Sequence, residues 1–361
     1  MLWVAAILST LCLPSTDDFA RALEPRVLEF PRDHGAHPEF KTEWWYFTGN
    51  LTASTGRRFG YQLTFFRSAV TPEQTPRESA WATRDIYLGH FALTDVAKKA
   101  FHHDERLSRE SLGLAGASVT DLDVWIRDWR ARRRSDGSIR LEAAADEMAI
   151  ALTLRPTKPP ALHGEQPGLS LKGSSPGQAS YYVTLSRCET EGSIRVGEER
   201  FDVSGLSWMD QEFGSSQLDA SQVGWDWFSL QLDDGSELML YLMRRRDGSF
   251  DDTSSGTFVS SEGETRHLPK DAFLIRATAR WTSPSSGATY PAAWTIEVPS
   301  LGYQLEVRPL VANQELETVG TTDVTYWEGT CRASGRRGGE DISGHGYVEL
   351  VGYAGPFLRD I

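Results

Sequence analysis

Apolar and aromatic side chains alternate with small or polar ones in short runs along the chain, each closed off by turn residues. The first strong run, residues 43–53, meets Ser54-Thr55-Gly56 and gives way to a second, residues 59–67. In that second run Phe59, Tyr61, Leu63 and Phe65 share one face, and Gly60, Gln62 and Thr64 the other, because successive side chains of a strand point to opposite sides. The two runs predict a hairpin with one apolar face. The pattern returns at 85–94, 118–129, 139–144 and 148–155, with Asp136-Gly137 as a hairpin turn. Residues 156–177 hold several Pro and Gly and read as a long surface loop.

Strands resume at 179–186, 193–196 and 199–213, and then 225–232 and 237–245 flank Asp233-Asp234-Gly235 as a second hairpin. From there they recur at 256–260, 273–281, 292–298, 303–309, 324–332 and 344–351. Helical signal is thin: 105–114 could make one or two turns and 143–147 another. Short strands at regular spacing predict an all-β antiparallel sandwich or barrel with little helix. The polar run 214–223 separates two strand-rich halves, so we place the domains at 23–214 and 215–361.

Composition sharpens this picture. The 361 residues carry 50 acidic and 37 basic side chains, a net charge of −13, which argues against nucleic acid as a partner. Twelve Trp, 11 Tyr and 16 Phe beside 32 Gly and 17 Pro favour strands and tight turns. The apolar run 2–13 is followed by Pro14 and by Ala20-Arg21-Ala22, a small-x-small site. Residues 1–22 therefore predict a signal peptide cleaved near Ala22, and a periplasmic or secreted mature protein. The apolar run is too short to span a bilayer, and no later segment is long enough, so no transmembrane segment is expected. Cys188 and Cys331, which follow the signal, either pair or sit apart as buried thiols. Oligomeric state is not written in the pattern.

Candidate chemistry is confined to aromatic and acidic clusters. No phosphate loop, nucleophile elbow or CxxC site is present, and the neighbours His102 and His103 point to opposite faces of a strand, so neither cofactor nor metal is expected. Trp44, Trp45 and Tyr46 put large rings on both faces of one strand, as expected where one side meets a core and the other a ligand cavity. Leu206, Trp208, Asp210 and Glu212 share a face, and Asp226, between Trp225 and Trp227, shares one with Phe228, Leu230 and Leu232. A carboxylate on an apolar face is either hydrogen-bonded for structure or raised in pKa and suited to giving a proton.

The strings Glu43-Trp44-Trp45-Tyr46-Phe47-Thr48-Gly49-Asn50-Leu51, His90-Phe91-Ala92-Leu93-Thr94-Asp95, Ala179-Ser180-Tyr181-Tyr182, Ser207-Trp208-Met209-Asp210-Gln211-Glu212-Phe213 and Gly224-Trp225-Asp226-Trp227-Phe228 resemble the AttH family. That family includes secreted proteins named as predicted hydrolases and is related to carotenoid 1,2-hydratases. The resemblance implies two lipocalin-like β-barrel domains. It also implies an exported enzyme of hydratase, isomerase or hydrolase type acting on an apolar small molecule. Asp210 falls where a hydratase would carry its proton donor, with Glu212 or Asp226 as electrostatic partner; Gln211 stands where hydratase-like members show His. The implied cavity wall is Trp44, Trp45, Tyr46, Tyr181, Tyr182, Trp208, Trp225 and Trp227. The rival expectation is a non-catalytic periplasmic carrier of a lipid or pigment, in which the same rings bind and the carboxylates are structural.

Overall fold

A computed structural model describes residues 19–72, 79, 82–216, 218–219 and 221–355. Most of the signal-peptide expectation, residues 1–18, lies outside the described residues. The first half of the chain forms β1 (Thr42–Ala53), β2 (Arg58–Ala69), β3 (Asp85–Asp95), β4 (Ala100–Arg109), β5 (Ala115–Ala117), β6 (Asp123–Ile126) and β7 (Trp129–Arg133). It continues through β8 (Ile139–Ala144), β9 (Met148–Pro156), β10 (Ala161–Leu162), β11 (Leu169–Leu171), β12 (Ala179–Val196) and β13 (Glu199–Ser216). These strands make one sheet in the order β4-β3-β2-β1-β13-β12-β9-β8-β7-β6-β5, with β10 and β11 added beside β12.

The second sheet takes β14 (Gln222–Leu232), β15 (Glu237–Arg245), β16 (Ser255–Val259), β17 (Thr265–Pro269) and β18 (Leu274–Thr282). It is completed by β19 (Thr289–Val298), β20 (Tyr303–Pro309), β21 (Glu315–Thr318), β22 (Val324–Arg337) and β23 (Glu340–Leu350), in the order β17-β16-β15-β14-β23-β22-β20-β19-β18 with β21 on β22. Neighbouring strands pair antiparallel. The all-β expectation holds: one sheet is a nearly closed barrel and the other a half-barrel. The chain changes sheet between Ser216 and Gln222. Among the described residues no helix is long and apolar enough to cross a membrane.

The two helical expectations fail because sheet pairing captures their residues. Residues 105–109 continue β4, which pairs with β3, and only the single 3-10 turn Ser111–Gly113 follows. Residues 143–147 end β8 and make the tight connection to β9, closed by the Ala145 N–H on the Met148 carbonyl. The expected loop 156–177 also proves partly ordered, since it holds β10 and β11.

Each sheet wraps its own core. Trp45, Phe47, Tyr61, Leu63, Phe65 and Phe91 fill the first, and Phe228, Leu230, Leu240, Trp294, Trp327 and Val348 the second. Cys188 packs in the first core and Cys331 in the second, both as free buried thiols, which settles the open question of their pairing. The outer faces of β1 and β2 are covered as well, because the second sheet lies against them. The polar face of the β1–β2 hairpin is thus buried: Gln62 and Thr64 are each 1% exposed. A Cβ on Gly60 would come within 2.7 Å of Thr330 and of the Tyr347 hydroxyl, so only glycine permits this approach of the sheets.

Polar pairs lock this contact. Gln231 donates to the Ser186 and Ser207 carbonyls, and Asn50 donates to the Gly346 carbonyl. Glu237, fully buried on β15, accepts from Lys158 (2.7 Å) and from Arg187 (2.5 Å) of the first domain. A buried carboxylate held by two cations fixes geometry strongly, since removing it strands both charges.

Candidate active site

Strand alternation aims one row of side chains from each sheet into the space between them. On the first sheet the cross-strand row runs Thr184, Asp210, Tyr46, Thr64 and His90 across β12, β13, β1, β2 and β3. On the second it runs Tyr241, Trp227, Glu349 and Glu328 across β15, β14, β23 and β22. Between the rows lies a cavity of about 160 Å³ whose wall includes Trp44, Tyr46, Tyr182, Asp210, Glu212, Trp225, Trp227, Glu328 and Glu349. Tyr46 meets Trp227 edge-on at 5.2 Å, so rings from both sheets close the back of the cavity.

Asp210 is 4% exposed. Its carboxylate accepts from the Tyr182 hydroxyl (2.6 Å), from Trp208 Nε1 (2.7 Å) and from the Thr184 hydroxyl. Burial pushes this carboxyl up to about 7; the three hydrogen bonds oppose the rise and the Glu212 charge adds to it. Tyr182 in turn accepts from Trp227 Nε1 (3.0 Å), which ties the acid to the opposite sheet. Behind Asp210, His163 Nε2 lies 2.5 Å from the Thr184 hydroxyl and its Nδ1 2.7 Å from that of Thr257, so a second chain of polar groups crosses between the sheets. Burial holds the His163 imidazole down, near 3, which keeps it neutral.

Glu212, one turn of the pleat from Asp210, binds Lys172 Nζ at 2.9 Å and the Ser180 hydroxyl. The Lys172 ammonium also stands over the Tyr182 and Tyr241 rings, at 4.8 and 4.5 Å. Burial works against its charge, but Glu212 together with Tyr241 and Asp210 outweighs burial and raises its pKa. Glu212 is therefore a paired anion beside the acid.

The second sheet contributes two further carboxyls. Glu349 accepts from Trp225 Nε1 (2.8 Å); burial pushes it up to about 7, the Trp225 bond opposes this, and Asp210 and Glu212 across the cavity add to it. Glu328 is 1% exposed, and among the described residues neither of its oxygens has a hydrogen bond of good geometry. Burial and the neighbouring Glu349 raise it well above the carboxylate range, and the Tyr46 and Tyr326 hydroxyls beside it oppose the rise.

The candidate residues divide by face. Trp44, Tyr46, Tyr182, Trp225 and Trp227 line the cavity with Asp210 and Glu212, and Trp208 packs behind Asp210 against Trp227. Trp45 points the other way, into the barrel core, and donates to the His34 carbonyl. Tyr181 packs with Phe40 and Phe213 and donates to the Glu24 carbonyl. The structure does not bring Asp226 to the cavity. It sits on the opposite face of β14 from Trp225 and Trp227, paired with Arg244 (2.9 Å) and accepting from Tyr353 (3.0 Å). Gln211 also faces away from Asp210, donating to Gly35 and Glu43, so the residue following the acid in the motif serves the barrel interior.

Sequence reasoning missed Lys172, His90, Glu328 and Glu349. Lys172 stands in the segment read as loop, and Glu328 and Glu349 sit in runs read only as strands. Their parity on β22 and β23 was visible; what lay opposite them was not.

The AttH-like family profile matches residues 21–353. A solved AttH protein of Nitrosomonas europaea is 34% identical, covers 93% of this chain and 100% of its own, and superposes with a TM-score of 0.83. Kievitone hydratase of Nectria haematococca shares the fold at 16% identity, with a TM-score of 0.71 over 94% of this chain and 97% of that one. The dehydratase asqC of Emericella nidulans is 22% identical over 221 residues; the match spans 59% of this chain and 61% of that protein's length.

Proposed function

The chain belongs to the AttH family, and from that premise we propose that it is a hydratase or dehydratase acting on an apolar small molecule held between its two sheets. The observation that carries this reading is Asp210: a buried carboxyl held near 7, facing a cavity walled by aromatic rings. A group with that pKa gives a proton and takes one back at neutral pH with nearly equal ease, as general acid–base catalysis requires. In hydration Asp210 protonates one carbon of an alkene, water bonds to the other, and its oxygen gives up one proton as the alcohol forms. In dehydration its carboxylate removes the proton from carbon as the hydroxyl, having gained a proton, departs as water. The rings of Trp44, Trp225 and Trp227 stabilise positive charge developing on the substrate by cation–π attraction. Tyr182, Thr184 and Trp208 hold the carboxylate in place, and the Glu212–Lys172 pair supplies a fixed local field. The names of kievitone hydratase and the dehydratase asqC support this reaction class.

The test is to identify by mass spectrometry what co-purifies with the protein, then to follow its turnover in heavy water. Asp210→Asn keeps size and hydrogen-bonding capacity but removes the acid, so turnover should fall by ~10²–10⁴-fold with little change in ligand affinity. Unchanged turnover in a folded Asp210→Asn protein would shift the reading to a carrier. Export belongs to the same proposal and rests on the apolar run and the Ala20-Arg21-Ala22 site. A periplasmic protein whose N-terminus is Leu23 supports it, and one beginning at Met1 overturns it.

A further inference from the structure

Asp210 accounts for a proton at carbon, but adding or removing water also moves a proton at oxygen. The cavity holds a second group suited to that task. Glu328 and Glu349 stand directly opposite each other on β22 and β23, where cross-strand side chains lie ~5 Å apart on one face. Both open on the cavity wall that faces Asp210. Among the described residues no cation is paired with either one, and both oxygens of Glu328, together with the Tyr46 hydroxyl beside them, are buried without a hydrogen bond of good geometry. Each buried polar atom left unpartnered costs ~1–3 kcal/mol, and Glu328 and Tyr46 bring three such atoms together at the cavity.

We propose that Glu328 and Glu349 form a carboxyl pair that shares one proton and acts on the substrate oxygen, the hydroxyl lost in dehydration or the water gained in hydration, while Asp210 acts on carbon. This rests on the hydro-lyase reading above. In dehydration the pair's proton passes to the hydroxyl of an alcohol, the C–O bond breaks and water leaves. The Asp210 carboxylate takes the proton from the adjacent carbon, and that C–H electron pair becomes the alkene bond. Asp210 has then gained one proton and the pair has lost one, and exchange with solvent water resets both. Hydration runs the same steps backwards. The substrate class follows: an apolar molecule with one tertiary or allylic hydroxyl, or the alkene it yields, its oxygen toward the second sheet and its hydrocarbon among the tryptophans. The catalytic set is therefore split between the sheets, and neither domain carries it alone.

Two like charges this close in a buried site resist joint ionisation, so the resting pair keeps one proton, and the doubly ionised form left by its transfer lasts only until exchange with solvent returns a proton. Tyr46 from β1, Tyr326 from β22 and Tyr347 from β23 are the titratable neighbours on the cavity side, with His90 behind Tyr326 and the Asp210 and Glu212 charges across the gap. Burial holds His90 down, near 3, so it brings no positive charge to the pair.

The full-length protein and two variants, Glu328→Gln and Glu349→Gln, test this, with linalool, a tertiary allylic alcohol, as probe. By infrared titration the wild type should keep a protonated carboxyl band from the pair at pH 7, and Glu328→Gln should move the midpoint of the remaining Glu349 downward. Glu328→Gln should also raise the thermal midpoint by ~2 °C or more, because it ends the competition of two buried acids for one proton. In water carrying the heavy oxygen isotope, wild type should exchange the linalool hydroxyl and release myrcene, and Glu328→Gln should lose ~10²-fold or more of both. Exchange at the wild-type rate, a lowered thermal midpoint or an unmoved Glu349 midpoint overturns the proposal. Failure of the hydro-lyase reading is distinct, since wild type would then exchange no oxygen. The pair is in that case judged by linalool binding, read from tryptophan fluorescence: a ~10-fold loss of affinity in Glu328→Gln upholds an oxygen-binding subsite, and equal affinity overturns it.

Discussion

Replacing Asp210 by Asn should change the pH dependence of folding stability, by an amount the structure dictates. Burial lifts this carboxyl from 3.8 to about 7 in the folded chain. Below about pH 4 both states carry the proton and the group contributes no difference. Between about 4 and 7 the unfolded chain has ionised while the folded chain still holds its proton, so each rise of one pH unit subtracts ~1.4 kcal/mol from stability. Above 7 both are ionised, and the full cost, ~4 kcal/mol, is in place. Asn has no proton to lose and removes this slope. Its carbonyl oxygen still accepts from Trp208 and Thr184, but its amide meets the Tyr182 hydroxyl, which must turn to accept; that mismatch costs ~1 kcal/mol at every pH. The assay is urea unfolding of wild type and variant across the range. The stability difference should move in favour of Asp210→Asn by about 3 kcal/mol between pH 5 and pH 8. A difference that stays flat over that range would falsify the placement of a protonated Asp210 in the folded cavity.

Glu237→Ala should destabilise the chain by ~3–5 kcal/mol, measured by chemical denaturation, because it leaves Lys158 and Arg187 as unpaired charges in the contact between the sheets. Gly60→Val should disrupt the same contact, since its side chain meets Thr330 and Tyr347; loss of the cooperative unfolding transition or of soluble protein is the readout, and wild-type stability refutes the assigned approach. Cys188 and Cys331 should resist a thiol reagent in the native state and react once denaturant is added, because both are buried and burial raises both thiols; fast reaction of either in the folded protein contradicts its place in the core.

Much of the candidate site was legible because a strand has a fixed period. Trp208, Asp210 and Glu212 share a face by counting alone, as do Trp44 and Tyr46, and Tyr182 must oppose Tyr181. Counting also separates Asp226 from Trp225 and Trp227, and the structure keeps that separation. Grouping the three in one site combined residues whose parity had already placed them on opposite faces.

The sequence by itself determined the strands, most of their turns, the division of each strand into two faces and the aromatic motifs that mark the family. Only the tertiary structure decided which face meets what. Both faces of β1, β2 and the second half of β13 are buried, one in a barrel and one against the other sheet, so the apolar-in, polar-out rule that distinguishes core from surface gives no answer there. Gln62 and Thr64 share the polar face of their strand, and the second sheet covers them. Asp210 and Glu328 lie more than a hundred residues apart and on different sheets, and they share a cavity because the sheets dock through Gly60, Gln231 and the Glu237 cluster. Local alternation carries no information about such docking, because it depends on shape and charge matching between surfaces that the chain assembles only after each sheet exists.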